Sequence, residues 1–299
     1  MATTDTSTAA LLRPAATPTP AESRRSARMA EMRRKALVWV PAGFVILLFA
    51  LCFLGPYVLP IPSPVGGDVL SSRLPAGSPG HPLGTDINGN DVLSRIIYGG
   101  RTSLIIAVSV NVIGIVLGGI IGSLSAYLGG IADSIIMRIL DVPIAFPSLV
   151  LVIAIAQALG PSVPNTILAM CAFSIPSIAR IARSATLKVV SMPYVRAAEL
   201  SGSPSWRILF RHVAPGIVPQ LLNFALLGMG IIIVTEGALS FLGLGIPAPD
   251  PSWGNMIYDA QQTLSATPML VLWPSLALLF TVLAFNILGE NTRDEMSRR

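Results

Sequence analysis

The side chains able to do chemistry in this 299-residue chain are few, and their spacing decides what they can do. Cys52 and Cys171 each lie inside an apolar run, and His81 and His212 are far apart. No Cys/His set has zinc spacing, and no pair of cysteines sits in a loop as a disulfide framework would require. Cysteines so placed act as small hydrophobes. No G-x-x-x-x-G-K-[ST] run is present to cradle nucleotide phosphates. No Ser/His/Asp, Cys/His or paired-carboxylate set is arranged for nucleophilic or acid–base work. The chain reads as a non-enzyme that binds no cofactor or metal of its own. What remains are polar residues within apolar runs. Ionisable groups in membranes face the bundle interior or water, which makes Glu236 and Asn223 the candidates for lining a passage, with helix packing or gate lining an equal reading for Glu236. They are 13 positions apart, about 140° around a helix, so they do not centre on one face. Asn111, Gln157 and Asn286 read as interhelical hydrogen-bond partners.

The elements that must carry these residues are membrane helices. Apolar residues make up 53% of the chain and charged residues 12%, with a mean hydropathy of +0.70. A soluble domain carries about 25% charge. About 20 apolar helical residues span a bilayer core, and six segments qualify: 37–59, 102–128, 139–159, 164–182, 217–242 and 268–288. The 37–59 run is longer than the apolar region of a signal peptide and reads as uncleaved. Alternate loops sort the charge: of the 20 Lys and Arg residues, all but Arg73, Arg95 and Arg101 fall on one side. The positive-inside rule makes that side cytoplasmic, with both termini. The net charge of +5 therefore reports topology, not a nucleic-acid partner. The expected fold is an all-α polytopic membrane helix bundle with six transmembrane helices. Residues 1–35 form a disordered cytoplasmic tail, 36–290 a transmembrane domain, and 291–299 a second cytoplasmic tail.

Two connecting segments are too long to be mere links. The extracytoplasmic one, 60–101, contains Val92, Leu93, Ile96 and Ile97 at one-face helical spacing, with Asn90 as N-cap. It predicts a short interfacial helix. Gly114, Gly118 and Gly122 form a small-residue face that lets another helix approach closely. Pro147 and Pro176 are expected to kink or break their spans. The cytoplasmic segment, 183–216, carries punctuation for two short helices. Ser191 and Pro193 start the first, and Gly202 ends it by taking positive φ. Ser203-Pro204 starts the second, which Pro215 ends. Tyr194, Val195 and Leu200 supply apolar anchors, and Ala197 and Ala198 keep the first helix slim enough to enter a groove on a partner.

That segment, with Ala197, Ala198, Gly202 and Pro215 in order, resembles the "EAA" loop of permease subunits of bacterial binding-protein-dependent ABC importers. Arg196 stands where the family has Glu, and His212 where an aliphatic residue is frequent. His81-Pro-Leu-Gly-Thr-Asp86, Asp91-Val-Leu-Ser-Arg95, Asp141-x5-Pro147, Glu236-x-x-Leu-Ser-Phe-Leu-Gly-Leu-Gly245 and Pro251-Ser-Trp-Gly254 resemble the oligopeptide and dipeptide branch, C-type subunit. Asn90 departs from the arginine frequent there. The resemblance runs from about Leu37 to Leu288. It implies the type I ABC importer permease fold in the bacterial cytoplasmic membrane. It also implies a second homologous permease, one or two cytoplasmic ATPases holding ATP and Mg, and an extracytoplasmic peptide-binding protein. Tyr194, Arg196, Ala197, Ala198, Glu199, Leu200, Gly202 and Pro215 would then contact the ATPase and transmit its closure to the spans. A nickel-chelate permease shares most of these motifs. A secondary transporter or channel without ATPase is the reading from another class, and it calls for paired intramembrane charges or an internal repeat. Neither is visible.

Overall fold

A computed structural model describes residues 38–297, which are helical apart from turns, loops and two isolated bridges, Ser78 to His81 and Thr85 to Asp91. The expected 1–35 tail lies outside these residues. Contacts divide the chain into Met1–Val40 and Pro41–Arg299. Of the first unit only the helical residues 38–40 are described; the helix bundle is built from the second.

Helix α1, Val38–Phe53, is apolar but shorter than a full span. The single turn α2, Gly55–Val58, comes next. Helix α3 runs unbroken from Val92 to Leu128, with a π-turn at Gly114–Gly118. The sequence suggested a short interfacial helix and a separate span here. Nothing between Tyr98 and Ser103 stops a helix, so the two fuse. The N-cap is Asp91, which accepts from the Ser94 amide at 2.8 Å. Asn90 is instead committed to the preceding loop, accepting from the Gly67 amide and donating to Asp86.

Helices α4, Gly130–Ile144, and α5, Ser148–Leu159, bend by 82° at Ala145–Pro147. The 139–159 run is therefore not one straight helix. Pro147 disfavours helical backbone at Phe146 and offers no N–H to continue the ladder. Helix α6, Val163–Val190, tolerates Pro176 in its interior without breaking. Helix α7 is Pro193–Leu200, and α8 runs from Ser205 to Phe241. Two more complete the chain: α9, Trp253–Gln261, and α10, Met269–Ser297.

Pro215 does not end the second elbow helix as expected. A π-turn at Leu209–Val213 precedes it. That widened turn accommodates a residue lacking an N–H, and α8 continues through it. Among the described residues, α3, α6, α8 and α10 are long and apolar enough to cross a membrane. Counting the bent α4–α5 pair as one span makes five.

Two apolar clusters organise the bundle. One joins α3, α5, α6, α8, α9 and α10 around Leu104, Val110, Ile233, Leu239 and Trp253. The other, around Ala182, Val195, Ile208 and Val213, sits at the end where α6 leaves and α8 begins. Between α3 and α6 the backbones touch. A Cβ at Gly118 would lie 2.7 Å from the Ile175 carbonyl oxygen, and one at Gly122 would collide with that of Ala179. The small-residue face thus packs on α6. Lipid offers no hydrophobic contrast, so this close packing is what holds the helices together.

Candidate functional site

The elbow between α6 and α8 carries the residues the sequence singled out. Pro193 opens α7 at its first position, as expected. Ser191 does not cap it: its hydroxyl bonds back to the Lys188 carbonyl, and Met192 occupies the cap position without a side-chain bond. Gly202 makes the corner at φ +76°. Its amide bonds to the Glu199 carbonyl and the Ser203 amide to that of Ala198, closing the end of α7. Open space surrounds Gly202, so backbone conformation alone selects glycine there.

The faces of α7 divide sharply. Val195 is fully buried in the second cluster and fastens the helix to α6 and α8. It is an internal anchor, not the outward one the sequence suggested. Tyr194 is 50% exposed and Leu200 91%. Arg196, Ala197 and Glu199 are exposed and Ala198 is half-buried. Tyr194 also leans on His212, ring centroids 6.3 Å apart, so α7 is braced against the start of α8. Pro215 is exposed just past the π-turn. Trp206 and Phe210 extend the exposed apolar surface along α8.

The α3–α6 seam near this end holds an ion-pair group that the sequence did not disclose. Asp133 of α4 accepts from Arg183 of α6 and from the Ser125 hydroxyl of α3, at 2.5 to 2.7 Å. Arg180 and Asp141 pair at 2.7 Å nearby. The bent pair is thereby tied to two other helices.

At the other end, three motifs far apart in sequence converge. Glu236 is 1% exposed and accepts from Ser103 on α3 at 2.7 Å and from Ser240 at 2.8 Å. The hydroxyl of Ser252 also faces it. Trp253, fully buried against Gly100, donates to the Ile96 carbonyl at 3.0 Å. Ser252 and Asn255 form a reciprocal capping box that starts α9. Asn223, near the middle of α8, is buried and its Oδ1 has no partner among the described residues. Asn111 and Asn286 press against Gly228 and Gly230 of α8, while Gln157 is exposed.

Beside this junction lies a cavity of about 560 Å³, bounded by loop residues 65–69 and 88–90, by Arg95, and by the 243–259 stretch. Arg95 sits between Asp86 at 3.3 Å and Asp259 at 3.6 Å. Burial pushes the Asp259 carboxyl above its ordinary proton affinity, with Arg95 opposing and Asp86 adding to the rise. Sequence reasoning reached Asp86 and Arg95 as motif residues but not Asp259, which lies six positions after Trp253 on α9 and outside every motif quoted. No group of three or more metal-ligating side chains is present among the described residues.

The chain is similar in sequence to known proteins. Residues 114–294 match the family described as binding-protein-dependent transport system inner membrane components. The chain is 41% identical over 261 residues to the glutathione transport system permease protein GsiD of Pectobacterium atrosepticum, covering 87% of this chain and 86% of that one. It is 37% identical to GsiD of Escherichia coli O157:H7 over 265 residues, 88% and 87% of the two chains. It is also 37% identical to the dipeptide transport system permease protein DppC of Alkalihalophilus pseudofirmus over 226 residues, 76% and 74% of the two.

Proposed function

Because this chain belongs to the family of binding-protein-dependent transport system inner membrane components, we propose that it carries small peptides across the bacterial inner membrane as one of two channel-forming subunits of an ATP-driven importer. It is a multi-pass membrane permease, and bond-breaking belongs to other chains. The relatives are named for glutathione and dipeptide transport, which supports a cargo of two or three residues.

In this reading six segments cross the membrane. The bent α4–α5 pair and α1 join the four long helices, and both termini lie in the cytoplasm. The excess of Lys and Arg at the elbow end supports that orientation. Residues 36–290 make the permease domain, with 60–101 outside, 183–216 inside, and 1–35 and 291–299 as cytoplasmic tails. The partners are a homologous second permease, one or two cytoplasmic ATPases that hold ATP and Mg, and an extracytoplasmic peptide-binding protein.

The observation that carries the proposal is the two-faced helix α7. Val195 locks it to the bundle while Tyr194, Arg196, Ala197, Glu199 and Leu200 face outward. A helix so held passes on a push. Ala198 and the exposed small Ala197 allow close approach of the ATPase, and Gly202 fixes the angle at which α8 receives the motion. Pro215 and its π-turn set the register of that hand-over. Asn223 and Glu236 are the passage candidates, and their burial means that contact with cargo would require the helices to part.

Leu200→Asp tests the proposal. The residue is 91% exposed, so the fold should survive while the ATPase fails to co-purify and labelled dipeptide uptake falls at least tenfold. Unchanged co-purification and unchanged uptake would remove α7 as the coupling element. Loss of nickel uptake without loss of peptide uptake, in cells lacking only this chain, would keep the architecture and overturn the cargo.

A further inference from the structure

Building on the peptide reading, we infer that the 560 Å³ cavity is a binding site for the amino-terminal residue of a small peptide, its ammonium group on Asp259 and its first carbonyl oxygen on Arg95. The volume lies within the few hundred to about 1,000 Å³ of sites that take small ligands.

The charged lining is not satisfied from within. Arg95 keeps only 6% of its side chain exposed, yet its two carboxylate neighbours stand at 3.3 and 3.6 Å. A charge-assisted hydrogen bond is shorter, about 2.7–2.9 Å. A guanidinium has five N–H donors in a fixed fork, and among the described residues no short bond to another side chain uses them. Asp86 is already committed, since it accepts from the Asn88 and Asn90 amides and from the Asn90 side chain. Asp259 is different. Its side chain is 38% exposed, and Arg95 at 3.6 Å is its one ion-pair partner among the described residues.

Charge then selects the ligand. One guanidinium between two carboxylates leaves a formal excess of one negative charge, in a place where burial already disfavours the Asp259 carboxylate. A cation beside Asp259 relieves that excess, and an acceptor beside Arg95 uses its free donors. The first residue of any peptide offers both. Bond lengths along N–Cα–C–O put its ammonium nitrogen and carbonyl oxygen roughly 3 Å apart. That is close to the 3.6 Å between the Arg95 and Asp259 groups. Such a site reads the amino terminus and leaves the rest of the peptide free. It therefore tolerates different side chains and lengths, as an entry point for varied cargo must.

The test uses the assembled transporter, with the full chain, second permease and ATPases, in lipid nanodiscs without binding protein. Alanyl-alanine and N-acetyl-alanyl-alanine are compared as radiolabelled probes. Alanyl-alanine is expected to bind at least tenfold more tightly, and Asp259→Asn to abolish that preference. Equal binding of the two probes to the wild-type complex, binding of neither, or a preference that survives Asp259→Asn would each overturn the inference. The wild-type comparison needs no variant, so misfolding of Asp259→Asn cannot obscure it. Uptake of alanyl-alanine into proteoliposomes with binding protein separates this site from the transport reading. Uptake without the probe preference removes the cavity site alone, whereas absence of both uptake and preference removes both. If Asp259→Asn lowers uptake but leaves probe binding unchanged, the cavity is a docking point for the binding protein and the inference is wrong.

Discussion

Glu236 spends its carboxylate on its own protein. Both oxygens are taken up by serine hydroxyls, one across the helix boundary on α3 and one a turn later on α8. Removing the acceptor strands donors in a buried place, which costs about 1–3 kcal/mol for each group left unpaired. Glu236→Leu should therefore lower the thermal midpoint in detergent by several degrees, and Glu236→Gln, which keeps one acceptor oxygen, by clearly less. A similar argument from size applies to Gly122, whose hydrogen faces the Ala179 backbone. Overpacking typically costs about 1–3 kcal/mol. Gly122→Ala should lower the same midpoint, because backbone atoms of α6 cannot swing aside as a side chain would. The spacing of Gly114, Gly118 and Gly122 announced a helix contact; only the fold could say that α6 supplies it.

At the scale of elements, the apolar runs were legible because a bilayer imposes length and hydropathy on each of them. Breaks and fusions were less so. Pro147 breaks its run and Pro176 does not, although both are prolines in apolar sequence. The difference lies in surroundings: Pro176 is buried among neighbours that hold α6 straight, while Phe146 is half-exposed at an open bend. Pro215 was read as a stop because local rules contain no π-turn. The Asp259 cavity was invisible for another reason, since it is assembled from segments separated by more than a hundred residues. The ion pairs between α4 and α6 were hidden for a related reason, since their partners lie 50 and 39 residues apart. Asp133→Asn should destabilise the bent pair by about 1–2 kcal/mol after allowance for solvent at the part-exposed Arg183. Asp141→Asn breaks a pair with both partners about half exposed, and should cost about 0–1 kcal/mol. Thermal unfolding of the two variants at low and high salt checks the ranking.

In the whole molecule, α8 is one of the helices that reach both ends, and the one that continues directly from the elbow. It starts in the elbow cluster with Ile208 and Val213, passes the buried Asn223, and reaches Glu236 beneath the Arg95–Asp259 cavity. On the proposed reading, nucleotide binding at the ATPase should therefore change distances at both ends together. Spin labels at exposed Leu200 and Tyr258, each paired with a label on α5, would report this. Movement at the elbow with a static cavity would contradict the shared role of α8.

Mechanically, the proposed coupling would make the helix a pushrod. Its 37 residues reach about 55 Å at the usual helical rise, with the Leu209–Val213 π-turn and the internal Pro219 as soft points near the elbow end. A rod of that kind has almost no slack along its axis and gives mainly at those points. Thrust applied at the elbow arrives at the far end almost undiminished, and sideways play is absorbed near the elbow. The stiffness of a single helix, more than any chain of contacts, then sets how faithfully a stroke at one membrane face is reproduced at the other.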